Sequence, residues 1–229
     1  MNNQTLFLQF LHPGAEHDPT PKNSNSISWN TKNHKRKFIK DPGQYLENNI
    51  CKDSDLVFWG EWEPQSNVLQ NLTQIDNTYP KYLYQPYYSI LSNEQGLQNT
   101  DPFVFGDQFH YVCCQQIRKS LRFLDRGSVI LFGSCINKQF VLDTVFVVDS
   151  YHDIKSLSQV KKLVSPTYQD VTISRIFNNI CNIKSQNSCT QTISSCTQTI
   201  SNRLYFGATY DKPVNGMFFF FLVYPIKKI

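Results

Sequence analysis

Two β-branched apolar runs, Ser128–Phe132 (SVILF) and Phe140–Val148 (FVLDTVFVV), stand either side of Gly133–Gln139, a connection that carries Gly133 and Asn137. Val and Ile are stiff at χ1 and fit the pleated surface of a sheet, so these runs predict a β-hairpin. Asp143 and Thr144 interrupt the second run. A buried carboxylate needs partners, so Asp143 either faces solvent or is held by hydrogen bonds at a pocket, and strand alternation favours the solvent face.

A second stretch, Leu56–Ser66 (LVFWGEWEPQS), concentrates chemistry. Leu, Val, Phe and Trp favour a strand, Gly60 within it marks a bulge or a close backbone approach, and Pro64 ends the ladder because it has no N–H to donate. Trp59 and Trp62 bracket Gly60 and Glu61, and Glu63 follows. The expectation is a strand end presenting indole faces and two carboxylates, a pocket for a flat, hydrogen-bonding ligand.

Further strands are expected at Thr5–Leu11, Phe103–Asp107, Arg203–Tyr210 and Met217–Tyr224, the last two as a pair. Phe218–Tyr224 is read as a buried strand, being far too short for the roughly 20 residues that cross a bilayer. Apolar spacing predicts a helix over Phe109–Leu124 that ends at Asp125-Arg126-Gly127, a short helix within Tyr151–Leu163 and an amphipathic helix over Val171–Ile183. Asp41-Pro42-Gly43 reads as a turn, Gln44–Asp53 as including a short helical turn, and Val68–Asn77 as a loop. Tyr79–Tyr88 (YPKYLYQPYY) holds five tyrosines and two prolines. It reads as an aromatic lid that stacks on a base, or equally as a cover over the core with wet hydroxyls. Ser188–Ser194 and Ser195–Ser201 are identical SCTQTIS copies, too few and too polar for a solenoid, and place a surface-loop insertion at 184–202 in an otherwise single domain spanning 1–229.

The charge balance is mild, at a net +4, which permits phosphate or nucleic-acid binding without demanding it. Lys32–Lys40 carries five of the cations. Its ordinary reading is a solvated loop, and its functional one is a phosphate contact through Lys35, Arg36 and Lys37. Seven cysteines without a CxxC spacing, and no signal-peptide pattern in MNNQTLFLQFLHPG, give the expectation of a reducing, cytoplasmic setting without a disulfide framework. The adjacent Cys113 and Cys114 read as core packing. His12, Glu16 and His17, with Asp18 beside them, follow the first strand. They could ligate a divalent metal or act as an acid–base set, although they match no metal motif, and a polar loop is their ordinary reading. The absence of a P-loop, GxGxxG and GxSxG argues against kinases, dinucleotide oxidoreductases and α/β-hydrolases.

The helix followed by GSVILFGS and FVLDTVFVV resembles the core of PUA-like barrels, the group that contains ASCH, EVE and YTH domains. HPGAEH, LVFWGEWEPQS, QNTDPFVFGD and YFGATYDKPVNGMF are similar to blocks of bacterial, nucleotide-modification-associated proteins of that group. The resemblance implies an α+β fold, mainly an antiparallel, barrel-like sheet with two or three flanking helices. It also implies a pocket that takes a base, free or flipped, modified or not. Trp59, Trp62 and one of Tyr82 or Tyr84 would then be its walls, with Glu61 or Asp107 accepting from exocyclic amines.

Three functions follow as expectations. The first is a binding module for a nucleobase, nucleotide or modified nucleic acid, with Glu63 also in the pocket and no membrane partner. The second is a metal-dependent hydrolase or nuclease that uses His12, Glu16, His17 and Glu61 or Glu63. The third is a structural protein partner within a larger defence or modification complex.

Overall fold

The computed structural model describes residues 5–11, 14–16, 34–64, 66–72, 80–88, 100–112, 116, 118–136, 139–154, 156–174 and 202–223. Most of its regular structure is strand. In chain order the strands are β1 (Phe7–Leu11), β2 (Gly14–Glu16), β3 (His34–Glu47), β4 (Ile50–Glu61), β5 (Ser66–Asn71), β6 (Tyr82–Pro86), β7 (His110–Tyr111), β8 (Val129–Ile136), β9 (Gln139–Ile154), β10 (Asn202–Gly207) and β11 (Phe220–Phe221). The helices are short: α1 (Lys119–Arg122), α2 (Leu157–Val160) and α3 (Pro166–Tyr168), the last running into a π-helical turn at Gln169–Ile173. The mostly β chain with few helices fits the α+β class, and its strands form two mixed sheets rather than a closed barrel among the described residues.

The first sheet is ordered β1-β8-β9-β10-β7, with β11 also on β9. The expected hairpin forms and is longer than its apolar runs: β8 pairs antiparallel with β9 from Val129↔Val147 to Ile136↔Gln139, with a register shift after Phe132. β1 joins β8 in parallel, Phe7 opposite Val129. β10 pairs with the far half of β9 and with β7.

In the second sheet, β3 is flanked along its length by β4, from Arg36↔Glu61 to Glu47↔Ile50, and on its other edge by β2 and then β6, both parallel. β5 completes it beyond β6. A bridge between Phe58 of β4 and Val223 ties the two sheets where β11 leaves β9.

Alternation sorts the β3–β4 side chains onto two faces. Phe38, Val57 and Trp59 pack with Leu72 and Leu83, while Ile39, Leu56, Phe58 and Trp62 join the largest core cluster with Phe103, Phe105, Val112, Tyr168 and Leu204. A further cluster beneath β8 and β9 holds Phe10, Tyr111, Leu121, Leu124, Ile130, Phe132, Phe146 and Tyr205.

Several expectations are corrected. The basic run is not a solvated loop: from His34 on it is β3, with Phe38 and Ile39 buried. Asp41-Pro42-Gly43 is mid-strand, and the chain reverses instead at Asn48 and Asn49, whose φ angles of 53° and 63° are those of a two-residue hairpin turn that asparagine tolerates. No helical turn lies in Gln44–Asp53. Gly60 sits in unbroken register, so it is not a bulge, and a Cβ there would crowd the Phe58 ring at 3.0 Å.

Val68–Asn71 belongs to β5 rather than a loop, and Phe103 makes an isolated bridge with His110 in place of a strand. Among the described residues of the helix expected over Phe109–Leu124, only Lys119–Arg122 is helical; His110 and Tyr111 are extended because β10 offers them a ladder, and aromatic residues fit that pleated surface. Val171–Ile173 is helical as expected, but as a π-turn, and 175–183 lies outside the described residues, as does the 184–202 repeat segment. Arg203–Tyr210 and Met217–Tyr224 meet through the Phe219 N–H on the Ala208 carbonyl at 2.7 Å, but their strands, β10 and β11, both take β9 as ladder partner in place of each other. Phe218–Tyr224 is not a buried strand either, since Phe220, Leu222 and Val223 are exposed and, among its described residues, only Phe219 is buried.

Candidate functional site

Charged side chains are almost never fully buried unless they are paired or working. At the junction of β3, β4 and β9 five of them are: Arg36 at 3% exposure, Lys37 at 1%, Glu61 at 4%, Glu63 at 2% and Asp143 at 3%. The register sets those on β3 and β4 on the two faces of the β3–β4 ladder, because successive side chains of a strand alternate. Arg36 lies opposite Glu61 across the β3–β4 ladder, and Lys37 lies opposite Gly60, where there is no side chain in its way.

The Arg36 guanidinium donates from Nη2 to Asp143 Oδ2 at 2.6 Å, joining the second sheet to the first, and Ser134 Oγ donates to Asp143 Oδ1 at 3.5 Å. Asp143 is therefore not on a solvent face; it is the carboxylate that neutralises a buried guanidinium. Lys37 Nζ donates to the Pro64 carbonyl at 2.7 Å and sits 5.5 Å from the centre of the Tyr84 ring. Thr100 Oγ1 donates to the Glu61 carbonyl at 2.8 Å, which brings the buried Asp101 to the same end of β4.

The aromatic groups divide. Trp59 and Trp62 belong to different core clusters, on opposite sides of β4, so they do not face one another as a pair of walls. Trp62, fully buried, meets Phe105 edge-on at 4.7 Å and Tyr88 at 5.6 Å. Tyr88 is exposed, so within the Tyr79–Tyr88 stretch it is the ring between Trp62 and solvent, whereas the expected tyrosine wall is Tyr82 or Tyr84. Tyr84 is buried under Lys37, with Tyr82 tilted against it at 6.3 Å. The Tyr88 hydroxyl donates to Asp41 Oδ2. Burial and that carboxylate push the Tyr88 phenol up, and burial raises Asp41 as well.

Asp107 stands apart, exposed in the turn after Phe105. Glu16 accepts at Oε1 from the backbone N–H groups of Lys81 and Tyr82, so it caps the start of β6. His12, His17, Asp18 and the Lys35 side chain lie outside the described residues, and no group of three or more His, Cys, Asp or Glu among the described residues is arranged to hold a metal. Arg36 and Lys37 are not at the surface to meet a phosphate backbone. No described helix is long and apolar enough to cross a membrane.

Sequence reasoning missed a second buried group. An aromatic row runs from Trp62 through Phe105 and Phe103 to His110, which stacks on Phe103 at 6.0 Å and on Tyr168 at 4.8 Å. His110 is fully buried and neither ring nitrogen has a hydrogen-bond partner among the described residues, so burial lowers its pKa from 6.5 to about 4. The unfolded chain therefore binds a proton on this residue between those values while the folded chain does not. Stability is full above about pH 6.5 and is lost as pH falls through 4, by about 3 kcal/mol. Urea titrations at two pH values should show this loss in the wild type, and His110→Phe should remove it from the difference between them.

Comparison with protein-family models, curated proteins and solved structures yields no match to this chain.

Proposed function

We propose that the chain is a binding module for a nucleobase-containing ligand, taken at the β3–β4–β9 junction. One observation carries the reading: five charged side chains are buried around one end of β3 and β4, with Lys37 against the Tyr84 ring and Trp62 in contact with Tyr88 just beyond β4. Charges already stripped of water and held in place recognise complementary donors and acceptors without further reorganisation, and rings beside them suit a planar heterocycle. In this reading Glu61 and Glu63 accept from amino and imino groups of the base. Arg36 and Lys37 hold that end of the sheet in register, and Tyr88 covers the entrance. The resemblance of the β8–β9 hairpin and its neighbours to PUA-like domains points to the same ligand class.

The test is a titration followed by tryptophan fluorescence, with mononucleotides and with single- and double-stranded oligonucleotides carrying ordinary and modified bases. Each is run with and without a divalent metal. Saturable quenching without metal, weakened at least tenfold by Glu61→Gln, is the expected result. Metal-dependent turnover of the ligand would replace the module with the hydrolase reading, and silence across the panel would remove both.

A further inference from the structure

Of the cations that the sequence offers for phosphate binding, Arg36 is committed to Asp143 and Lys37 to the Pro64 carbonyl, while the Lys35 side chain lies outside the described residues; Lys40 of the same run pairs with Asp55 at 2.9 Å. A group of accessible cations lies on the segment around α1. Arg118, Lys119 and Arg126 are exposed and Arg122 is half-buried. Against these four cations the segment 118–126 holds one carboxylate, Asp125, which is turned back onto the Arg126 N–H at 3.0 Å. Arg126 is shared with Asp149 at 3.2 Å, while no carboxylate among the described residues pairs with Arg118, Lys119 or Arg122.

The same surface carries rings at intervals. The Arg122 guanidinium lies 5.3 Å from the centre of the Phe123 ring. The Arg203 guanidinium, buried and paired with Asp153 at 2.9 Å, supports these rings from beneath at 5.5 Å from Phe123 and 3.8 Å from Tyr151, and both rings are half-buried. The platform is fixed from below. The Tyr205 hydroxyl donates to the Leu121 carbonyl and accepts from the Leu124 N–H, while Gln116 makes two hydrogen bonds to the Arg203 backbone.

We propose that this face, Arg118, Lys119, Arg122 and Arg126 with the rings of Phe123 and Tyr151, is a docking surface for single-stranded nucleic acid. Guanidinium groups and Lys119 take the phosphates, and Phe123 and Tyr151 stack on unpaired bases. The ladder of alternating cations and rings favours a polyanion with planar groups over an acidic peptide, which would use the cations alone. The choice of ligand rests on the nucleobase-binding reading above, and it places the strand contact away from the junction, on the other sheet.

The experiment measures binding of a labelled oligothymidylate across a range of salt, for the wild type and for a variant combining Arg118→Gln, Lys119→Gln and Arg122→Gln. Each phosphate neutralised on a single strand contributes about 0.7 to the slope of log affinity against log salt. The variant should lose about 2 from that slope, and about a hundredfold in affinity near 0.1 M salt if the curves converge near 1 M. Lys119→Glu alone should weaken binding in the same direction. Phe123→Leu should weaken it about tenfold with the slope unchanged, because it removes stacking and no charge.

Unchanged oligothymidylate binding in the triple variant, with mononucleotide quenching intact in the wild type, overturns this surface and leaves the junction reading standing. Failure of the wild type to bind either probe overturns the reading and the surface with it. Polyglutamate of matched charge competing as well as the oligonucleotide, or full binding by Phe123→Leu, assigns the face to an acidic protein and overturns the nucleic-acid partner.

Discussion

Asp143→Ala should destabilise the protein by about 3–5 kcal/mol, because it leaves the Arg36 guanidinium buried with its countercharge removed. Both side chains are nearly inaccessible, at 3% and 2%, so solvent cannot take over the role of the lost partner. The pair ties β3 to β9 across two sheets that otherwise meet here through the Phe58–Val223 bridge, so the loss is felt by the whole assembly. Replacing both partners with apolar residues of similar volume behaves differently. Arg36→Met with Asp143→Leu should recover most of that loss, since a well-packed apolar pair avoids the desolvation penalty. Equilibrium urea unfolding of the two single variants and the double variant checks this, with the coupling energy read from the cycle.

Trp62→Ala is expected to cost about as much, roughly 3–5 kcal/mol, for a different reason. The indole is fully buried and packed edge-on against Phe105, so truncation leaves a cavity in the largest core cluster. Trp62→Phe should keep most of the stability by keeping a ring there, and denaturant midpoints of the two variants give the comparison. The consequence for function is practical: lost binding in Trp62→Ala would reflect a damaged core. Tyr88→Ala tests the same side of the site from the solvent side, with a smaller penalty because that ring is already exposed.

What was legible in the sequence was carried by local pattern. The β8–β9 hairpin follows from β-branched runs around a glycine, β1 from its apolar run, and the end of β4 from the proline that follows it. What was not legible depends on partners far along the chain. Arg36 and Lys37 look like surface cations until Asp143, 107 residues beyond Arg36, and the Pro64 carbonyl are brought to them. Asp143 looks solvated for the same reason.

The Asp41-Pro42-Gly43 triplet has the chemistry of a turn, but continuous pairing with β4 draws it into a strand, and two asparagines make the reversal instead. His110 and Tyr111 fit a helical spacing and a pleated surface equally, and only the presence of β10 decides between them. At the site, the Glu61, Glu63, Arg36, Lys37 grouping lies within two stretches the sequence marked as chemical. The placing of Tyr88 over Trp62, the role of Glu16 as a cap on β6, and the His110 row are tertiary facts with no local signature.

The central claim is that the buried charges at the β3–β4–β9 junction serve ligand recognition and not only the union of two sheets. The Glu61→Gln and Glu63→Gln double variant separates these roles, because it removes the two ligand-facing charges and leaves the Arg36–Asp143 pair that joins the sheets. The deciding measurement is its titration with the nucleotide that best quenches wild-type tryptophan fluorescence, at matched folded fraction. The account predicts a folded variant whose affinity has fallen at least tenfold. Wild-type affinity in that folded variant would contradict it and leave the buried charges a structural device alone.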